Sequence, residues 1–178
     1  MTPRILRSVL FAVGMASLAA ASAAAEISPQ LEPLRPFLAK TWRGVFPRST
    51  PDKPIIDVQR WDLALNGKAV RTLHSINDGD YGGESLIVWD VERKSLVFFY
   101  FTTGGFYTTG TVSVEGGALI TLETVKGNAE GVTEVKGATR LLADGRMHVK
   151  TLYKKNGDWI DGRDVYYVET RDAEVRFK

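Results

Sequence analysis

Two histidines, His74 and His148, are the only imidazoles in the chain, and cysteine is absent. Thiolate nucleophiles, disulfides and zinc–sulfur sites are therefore excluded. A zinc ion would need these two histidines together with carboxylates, and no HExxH-type spacing brings such ligands together. A histidine turned inward could polarise a ligand carbonyl or act as an acid or base near neutral pH. The simpler reading of both is a satisfied or solvent-facing side chain. Ser85 follows Gly83 and Glu84, but the nucleophile-elbow frame Gly-x-Ser-x-Gly ends on Ile87. Gly104-Gly105 falls between two strand patterns and not at a helix start, so it makes no phosphate-cradling loop.

The other polar residues in strand-like segments are Arg60, Arg71, Glu84, Tyr100, Thr108, Glu123, Glu134, Arg140, Lys150 and Arg163. A solvated face is the default for each, because antiparallel sheets commonly keep one face wet. Two arginines invite another reading. Arg60 shares its parity with Ile56 and Val58, and Arg71 shares its parity with Ala69 and Leu73. An arginine on an otherwise apolar face could hold a ligand carboxylate through a two-pronged hydrogen bond. Together with strand aromatics they form the candidate ligand-binding set: Trp42, Arg60, Arg71, Trp89, Phe99 and Tyr100. No catalytic residue, metal or cofactor is assigned.

These side chains must be positioned by strands. After Lys40, segments rich in Val, Ile, Thr, Tyr, Phe and Trp alternate with turn signals such as Asn66-Gly67, Asn77-Asp78-Gly79, Gly116-Gly117, Gly127-Asn128 and Asn156-Gly157. Strands are predicted at 41–48, 55–65, 68–76, 84–92, 95–102, 106–114, 118–126, 131–142, 146–155 and 159–170. The connections leave no room for crossover helices, so sequential strands pair antiparallel. An open sheet of this size would expose two long edges, whereas closure removes them. The expected fold is thus all-β, a single up-and-down antiparallel barrel of about ten strands, wide enough to hold a ligand cavity.

Alternation predicts Ser85, Ile87 and Trp89 on one face of their strand, and Met147, Val149, Thr151 and Tyr153 on one face of theirs. The run Leu96-Val97-Phe98-Phe99-Tyr100-Phe101 is apolar on both faces, which suits a strand with the lumen on one side and a helix, loop or partner on the other. Ahead of the strands, 28–39 predicts one short helix, with Leu31, Leu34 and Leu38 on its apolar face and its length limited by Pro33 and Pro36.

Residues 1–25 follow secretory logic. Arg4 and Arg7 form a positive head, an apolar run extends from Val9 to Leu18, and Ala23-Ala24-Ala25 suits a cleavage pocket before Glu26. The expectation is a signal peptide over 1–25 and a barrel domain over 26–178, located in the periplasm or secreted. No transmembrane segment is expected once the signal is removed. Beyond Arg4 and Arg7 basic and acidic residues balance, so no nucleic-acid footprint is read.

Phe37-Leu38-Ala39-Lys40-Thr41-Trp42-Arg43-Gly44 resembles the signature of lipocalin-like barrels, in which a short helix runs into a strand carrying Trp just before Gly. Leu65-Asn66-Gly67-Lys68, Gly82-Gly83-Glu84, Val88-Trp89-Asp90, Gly110-Thr111 and Val165-Tyr166-Tyr167 extend the likeness to secreted bacterial lipocalin-like proteins of unassigned function. The resemblance implies an antiparallel barrel. A related branch, the nitrobindin-like barrels, binds haem through a histidine near the C-terminal end. Here residues 159–178 contain no histidine, and Lys40 stands where a glycine commonly precedes Thr-Trp, so haem is not expected.

The functional expectation is a barrel binding a small hydrophobic or amphipathic molecule. The alternatives are an isomerase, cyclase or hydrolase using arginine, carboxylate or histidine groups in the cavity, and an assembly module built on strand 95–102. An outer-membrane barrel is disfavoured by charges such as those in 131–140 and by the ending Arg176-Phe177-Lys178.

Overall fold

A computed structural model describes residues 26–127 and 130–178; the leader at 1–25 and the turn residue Asn128 lie outside the described residues. Ten strands form one closed barrel in simple meander order: β1 (Lys40–Val45), β2 (Ile56–Ala64), β3 (Ala69–Ile76), β4 (Tyr81–Asp90), β5 (Ser95–Thr102), β6 (Tyr107–Glu115), β7 (Ala118–Lys126), β8 (Val132–Leu141), β9 (Met147–Lys155) and β10 (Asp158–Thr170). Every neighbouring pair is antiparallel. Closure comes from β1 against β10, with Thr41 opposite Thr170 and Gly44 opposite Tyr167. The predicted turns adopt the left-handed backbone that their residues favour, as at Asn77-Asp78-Gly79, Gly116-Gly117 and Asn156-Gly157.

The expected helix is a 3-10 helix, Pro29–Phe37. Pro33 and Pro36 withdraw the backbone donors an α-helix would use. With three residues per turn, Leu31, Leu34 and Phe37 fall on one ridge, and all three are buried. Phe37 therefore replaces the expected Leu38, which caps the helix in extended conformation. The ridge plugs one end of the barrel. Together with Trp42, Val70, Ile87, Leu96, Leu119 and Met147 it belongs to one apolar core.

β4 begins earlier than expected, at Tyr81, because Gly82 and Gly83 belong to the ladder, facing Ser75 and His74 across β3. After β10 the chain turns back along the barrel's outside. The Arg176 amide donates to Ser75 Oγ at 3.1 Å, and Lys178 Nζ reaches Asp80 at 2.6 Å. This tail and residues 53–55 border a groove over the outward side chains Ile56 and Val58. Among the described residues, no helix is long and apolar enough to cross a membrane.

If the helix ridge is what seals this end, Leu34→Ala should cost about 2–5 kcal/mol of stability, the range for emptying a fully buried leucine site. Urea unfolding followed by tryptophan fluorescence measures it, and the denaturant midpoint should fall with little change in slope.

Candidate functional site

Only one end of the barrel interior is filled. Towards the other end lies a cavity of about 850 Å³. Its floor includes Trp61, Ile87, Phe98, Val112 and Val149. Trp61 stacks on Phe37 of the plug, with ring centroids 5.3 Å apart. Further up, many inward positions carry small side chains, Ser85, Thr121, Gly137, Thr139 and Thr151, so the space above the floor stays unfilled. The rim includes the exposed residues Arg48, Gly104, Gly127 and Ile160.

One wall is polar, and Asp57 organises it. Its carboxylate has no solvent exposure. It accepts from Tyr167 Oη at 2.7 Å, from Gln59 Nε2 at 3.1 Å and from His74 Nδ1 at 3.0 Å, and one guanidinium nitrogen of Arg163 lies 3.3 Å away. Burial alone would push the Asp57 carboxyl up, but the His74 hydrogen bond, the Arg163 charge and the Tyr167 hydroxyl together hold it below the ordinary carboxylate range. An ionised Asp57 fixes the histidine tautomer: Nδ1 carries the proton, and Nε2 faces Tyr100 Oη at 2.7 Å. Tyr100 Oη in turn meets Tyr81 Oη at 3.1 Å. The result is a continuous chain from Asp57 through His74 and Tyr100 to Tyr81, and the last three line the cavity.

Two backbone features shape this polar wall. His74 is on β3 and Tyr100 on β5, with β4 between them, and the residue opposite His74 on β4 is Gly83. A Cβ at Gly83 would collide with the Tyr100 ring, so the absent side chain lets that ring lean across β4 to the imidazole. On β10, the register slips between Asp161 and Asp164. This bulge turns Arg163 inward, ties its amide to Thr151 Oγ1 at 2.7 Å, and switches the parity so that Val165 and Tyr167 are buried beyond it. A Cβ at Gly162 would come within 2.7 Å of the Tyr153 ring. The Arg163 side chain is 19% exposed; one nitrogen faces Asp57 and the guanidinium stands 5.5 Å from the Phe46 ring centroid.

Glu123, on β7, adds a second carboxyl to the cavity. Burial raises its pKa, opposed in part by the Thr108 hydroxyl, which donates to it at 2.8 Å, and by the Arg163 charge. Thr108 is the cross-strand partner of Tyr100, which sets Glu123 beside the same wall.

Of the six candidate ligand residues, Tyr100 lines the cavity. Arg60 and Arg71 do not: both point out of the barrel, where Arg60 pairs with Asp62 at 2.7 and 2.8 Å and Arg71 with Glu84 at 2.7 and 3.0 Å. For Arg60 the physical reason is that its apolar companions Ile56 and Val58 face the groove beneath the tail and not the lumen. Phe99 is also outward and 46% exposed. Trp42 is fully buried in the plugged end, its Nε1 donating to the Phe37 carbonyl at 3.3 Å, and Trp89 packs against the same core. The default of a solvated face fails for Thr108, Glu123 and Arg163, which face inward. His148 is outward, bonded to Asp164 at 2.7 Å and stacked on Tyr166 at 4.2 Å. Asp57 and Tyr81 were missed altogether. The signals available for them were the polar parity Asp57-Gln59-Trp61 and the second hydroxyl-bearing ring at 81.

These donors do not fit a haem iron held by histidine, since His74, the cavity-facing imidazole, has both ring nitrogens hydrogen-bonded. β5 is paired on both sides, so an assembly role would rest on its exposed outward rings and not on edge pairing.

The two carboxyls should respond oppositely to pH. Asp57 is depressed in the folded state, so its stabilising effect is complete above about pH 3.9, the unfolded value, and is lost as pH falls through the lower folded value. Asp57→Asn should cost about 3–5 kcal/mol at pH 7, leaving Arg163 uncompensated, and should flatten the acid limb of the unfolding curve. Glu123 is raised, so the folded state holds its proton more tightly and stability declines as pH rises from about 4.3 through the raised value. Glu123→Gln should therefore match the parent near pH 4 and exceed it in melting temperature at pH 8.

No protein-family profile matches the chain. No curated protein matches it either. Among solved structures, it is similar to the crystal structure of Rv2717c from M. tuberculosis, with a TM-score of 0.55 and 17% sequence identity over 82% of this chain and 100% of that one. At that identity the likeness is one of fold: both chains build the same kind of barrel.

Proposed function

We propose that the barrel binds a small amphipathic molecule, with its apolar body over Trp61, Ile87 and Phe98 and an oxygen-bearing head against Arg163, Tyr81 and Tyr100. The observation that carries this reading is the half-filled interior, an apolar floor and a hydrogen-bonding wall around one cavity of about 850 Å³. That volume is within the range of small-molecule pockets. A guanidinium with only one nitrogen turned to Asp57 leaves donors for a carboxylate, carbonyl or hydroxyl oxygen. The secretory pattern of residues 1–25 supports a periplasmic or secreted setting for this binding. The outward charges Glu134, Lys136, Arg140, Lys150 and Lys154 on β8 and β9 break any lipid-facing band, which favours a ligand inside the barrel over a lipid bilayer around it.

A second reading, an enzyme on the same scaffold, is favoured by a different observation: Asp57, His74, Tyr81, Tyr100, Glu123 and Arg163 cluster around one cavity, where a simple apolar carrier needs none of them.

Native mass spectrometry of the protein purified from its own host should show a bound small molecule that denaturation releases. A fluorescent probe with an apolar body and an anionic head, 1-anilinonaphthalene-8-sulfonate, should bind saturably at one site. Thr121→Trp, which fills the lumen, should abolish binding. Arg163→Met should weaken it by roughly 10- to 100-fold, the effect of a charge-assisted hydrogen bond worth about 1.5–3 kcal/mol. Arg60→Ala, Arg71→Ala and Phe99→Ala should leave it unchanged. A protein that is empty from its host and indifferent to the probe would refute the reading.

A further inference from the structure

The polar wall contains more than recognition of a ligand head requires. A carboxylate with no solvent exposure holds His74 by one nitrogen, and the other nitrogen opens onto two phenols in series, at 2.7 and 3.1 Å, that end in the cavity. A neutral imidazole orders this chain in one direction: Tyr81 donates to Tyr100, and Tyr100 donates to His74 Nε2. Thr102 lies beside Tyr81 as well, but its hydroxyl donates to the Phe106 carbonyl at 2.8 Å, so a lone pair of Tyr81 stays as the acceptor presented to a ligand.

We propose that the Asp57–His74–Tyr100–Tyr81 chain is a proton relay that removes a proton from a carbon acid bound in the cavity, a molecule with a C–H bond next to a carbonyl, and that Arg163 holds the oxyanion formed. The proposal rests on the binding reading above, because the carbon acid must first occupy the lumen.

The step balances within the chain and the substrate. The C–H bond breaks and its proton goes to Tyr81 Oη, while the Tyr81 proton moves to Tyr100 and the Tyr100 proton to His74 Nε2. The C–H electron pair forms a carbon–carbon double bond, and the carbonyl π pair moves onto oxygen, facing the guanidinium. His74 becomes an imidazolium against the Asp57 carboxylate. Running the relay backwards returns a proton to the same carbon or to a conjugated one further along, which is an isomerisation and needs no oxidant or co-reactant. Tyr81 is the catalytic residue that touches substrate, Tyr100 and His74 carry the proton, and Asp57 is a positioning residue.

The surroundings suit the task. Burial raises both phenols, so they begin protonated and act as carriers; the Arg163 charge opposes that rise at each of them. The groups that face His74 or its cluster are Asp57 from β2, Tyr81 from β4, Tyr100 from β5, Tyr153 from β9, and Arg163 and Tyr167 from β10, with Glu123 of β7 beside Tyr100. Asp57 is the anion in direct contact with the ring that becomes cationic.

The test uses 5-nitrobenzisoxazole, an apolar carbon acid whose deprotonation opens the ring to a coloured phenolate. Full-length protein from its native export route should accelerate this opening saturably. His74→Gln and Tyr81→Phe should each lower kcat by about 100-fold, the scale of general-base catalysis, with KM little changed. Tyr81→Phe keeps the ring and removes only the hydroxyl, so it stays informative if His74→Gln folds poorly. Asp57→Asn should lower kcat with KM little changed, and Asp57→Glu should recover part of the rate, which a merely structural role would not do. Arg71→Ala, on the outside of the barrel, should keep the parental rate. If the protein binds 1-anilinonaphthalene-8-sulfonate but its rate survives both His74→Gln and Tyr81→Phe, or is lost only in Glu123→Gln, the relay is wrong and the binding reading stands. If neither probe is bound, both are wrong.

Discussion

An ionised carboxylate removed from water needs a donor for each of its lone pairs, and Asp57 recruits those donors from three strands. Gln59 comes from its own strand, His74 from β3, and Arg163 and Tyr167 from β10. This requirement sets the tautomer of His74, gives the half-buried Arg163 its counter-charge, and ties β2 to a strand that is not its neighbour, across β1. Remove the carboxylate and Gln59, His74, Arg163 and Tyr167 lose the partner they share.

The barrel also resolves a conflict between stability and hollowness. A fully packed lumen would be more stable, whereas an empty one would forfeit contacts on every side. Here the two demands are separated along the barrel axis. The 3-10 helix brings Leu31, Leu34 and Phe37 into one end and completes a dense core there. At the other end threonine, serine and glycine occupy many inward positions, and the Asp57 cluster and Glu123 supply a polar wall. The cavity floor is thus the top of the core, with Trp61 stacked on Phe37 as the joint between them.

Two departures from ideal strand geometry shape the polar wall. The glycine at 83 opens the surface of β4 so that rings on β3 and β5 can meet over it, and the bulge at Gly162-Arg163 inverts the facing of β10 midway. Both are local, small, and placed where the chemistry-bearing side chains lie. Neither feature helps the ladder in which it sits.

Much of the fold was legible in the sequence. Turn residues marked the hairpins, period-two runs marked all ten strands, and short connections forced the antiparallel meander whose edges only closure can remove. Alternation also assigned faces correctly where one parity was plainly apolar, as with Met147, Val149, Thr151 and Tyr153. It failed where both faces of a strand are covered. On β2 the apolar parity of Ile56 and Val58 serves the tail outside, and the polar parity of Asp57 and Gln59 serves the interior, so Arg60 was assigned to the wrong side. Local pattern records how much of each face is shielded from water; which shield is the lumen and which is a returning tail depends on segments about a hundred residues apart meeting, as Ser75 and Arg176 do. The sequence by itself therefore determined a closed ribbon of hairpins, while only the tertiary structure decided which side chains look inward, because a bulge, a missing Cβ and a distant tail act through contacts that no local periodicity encodes.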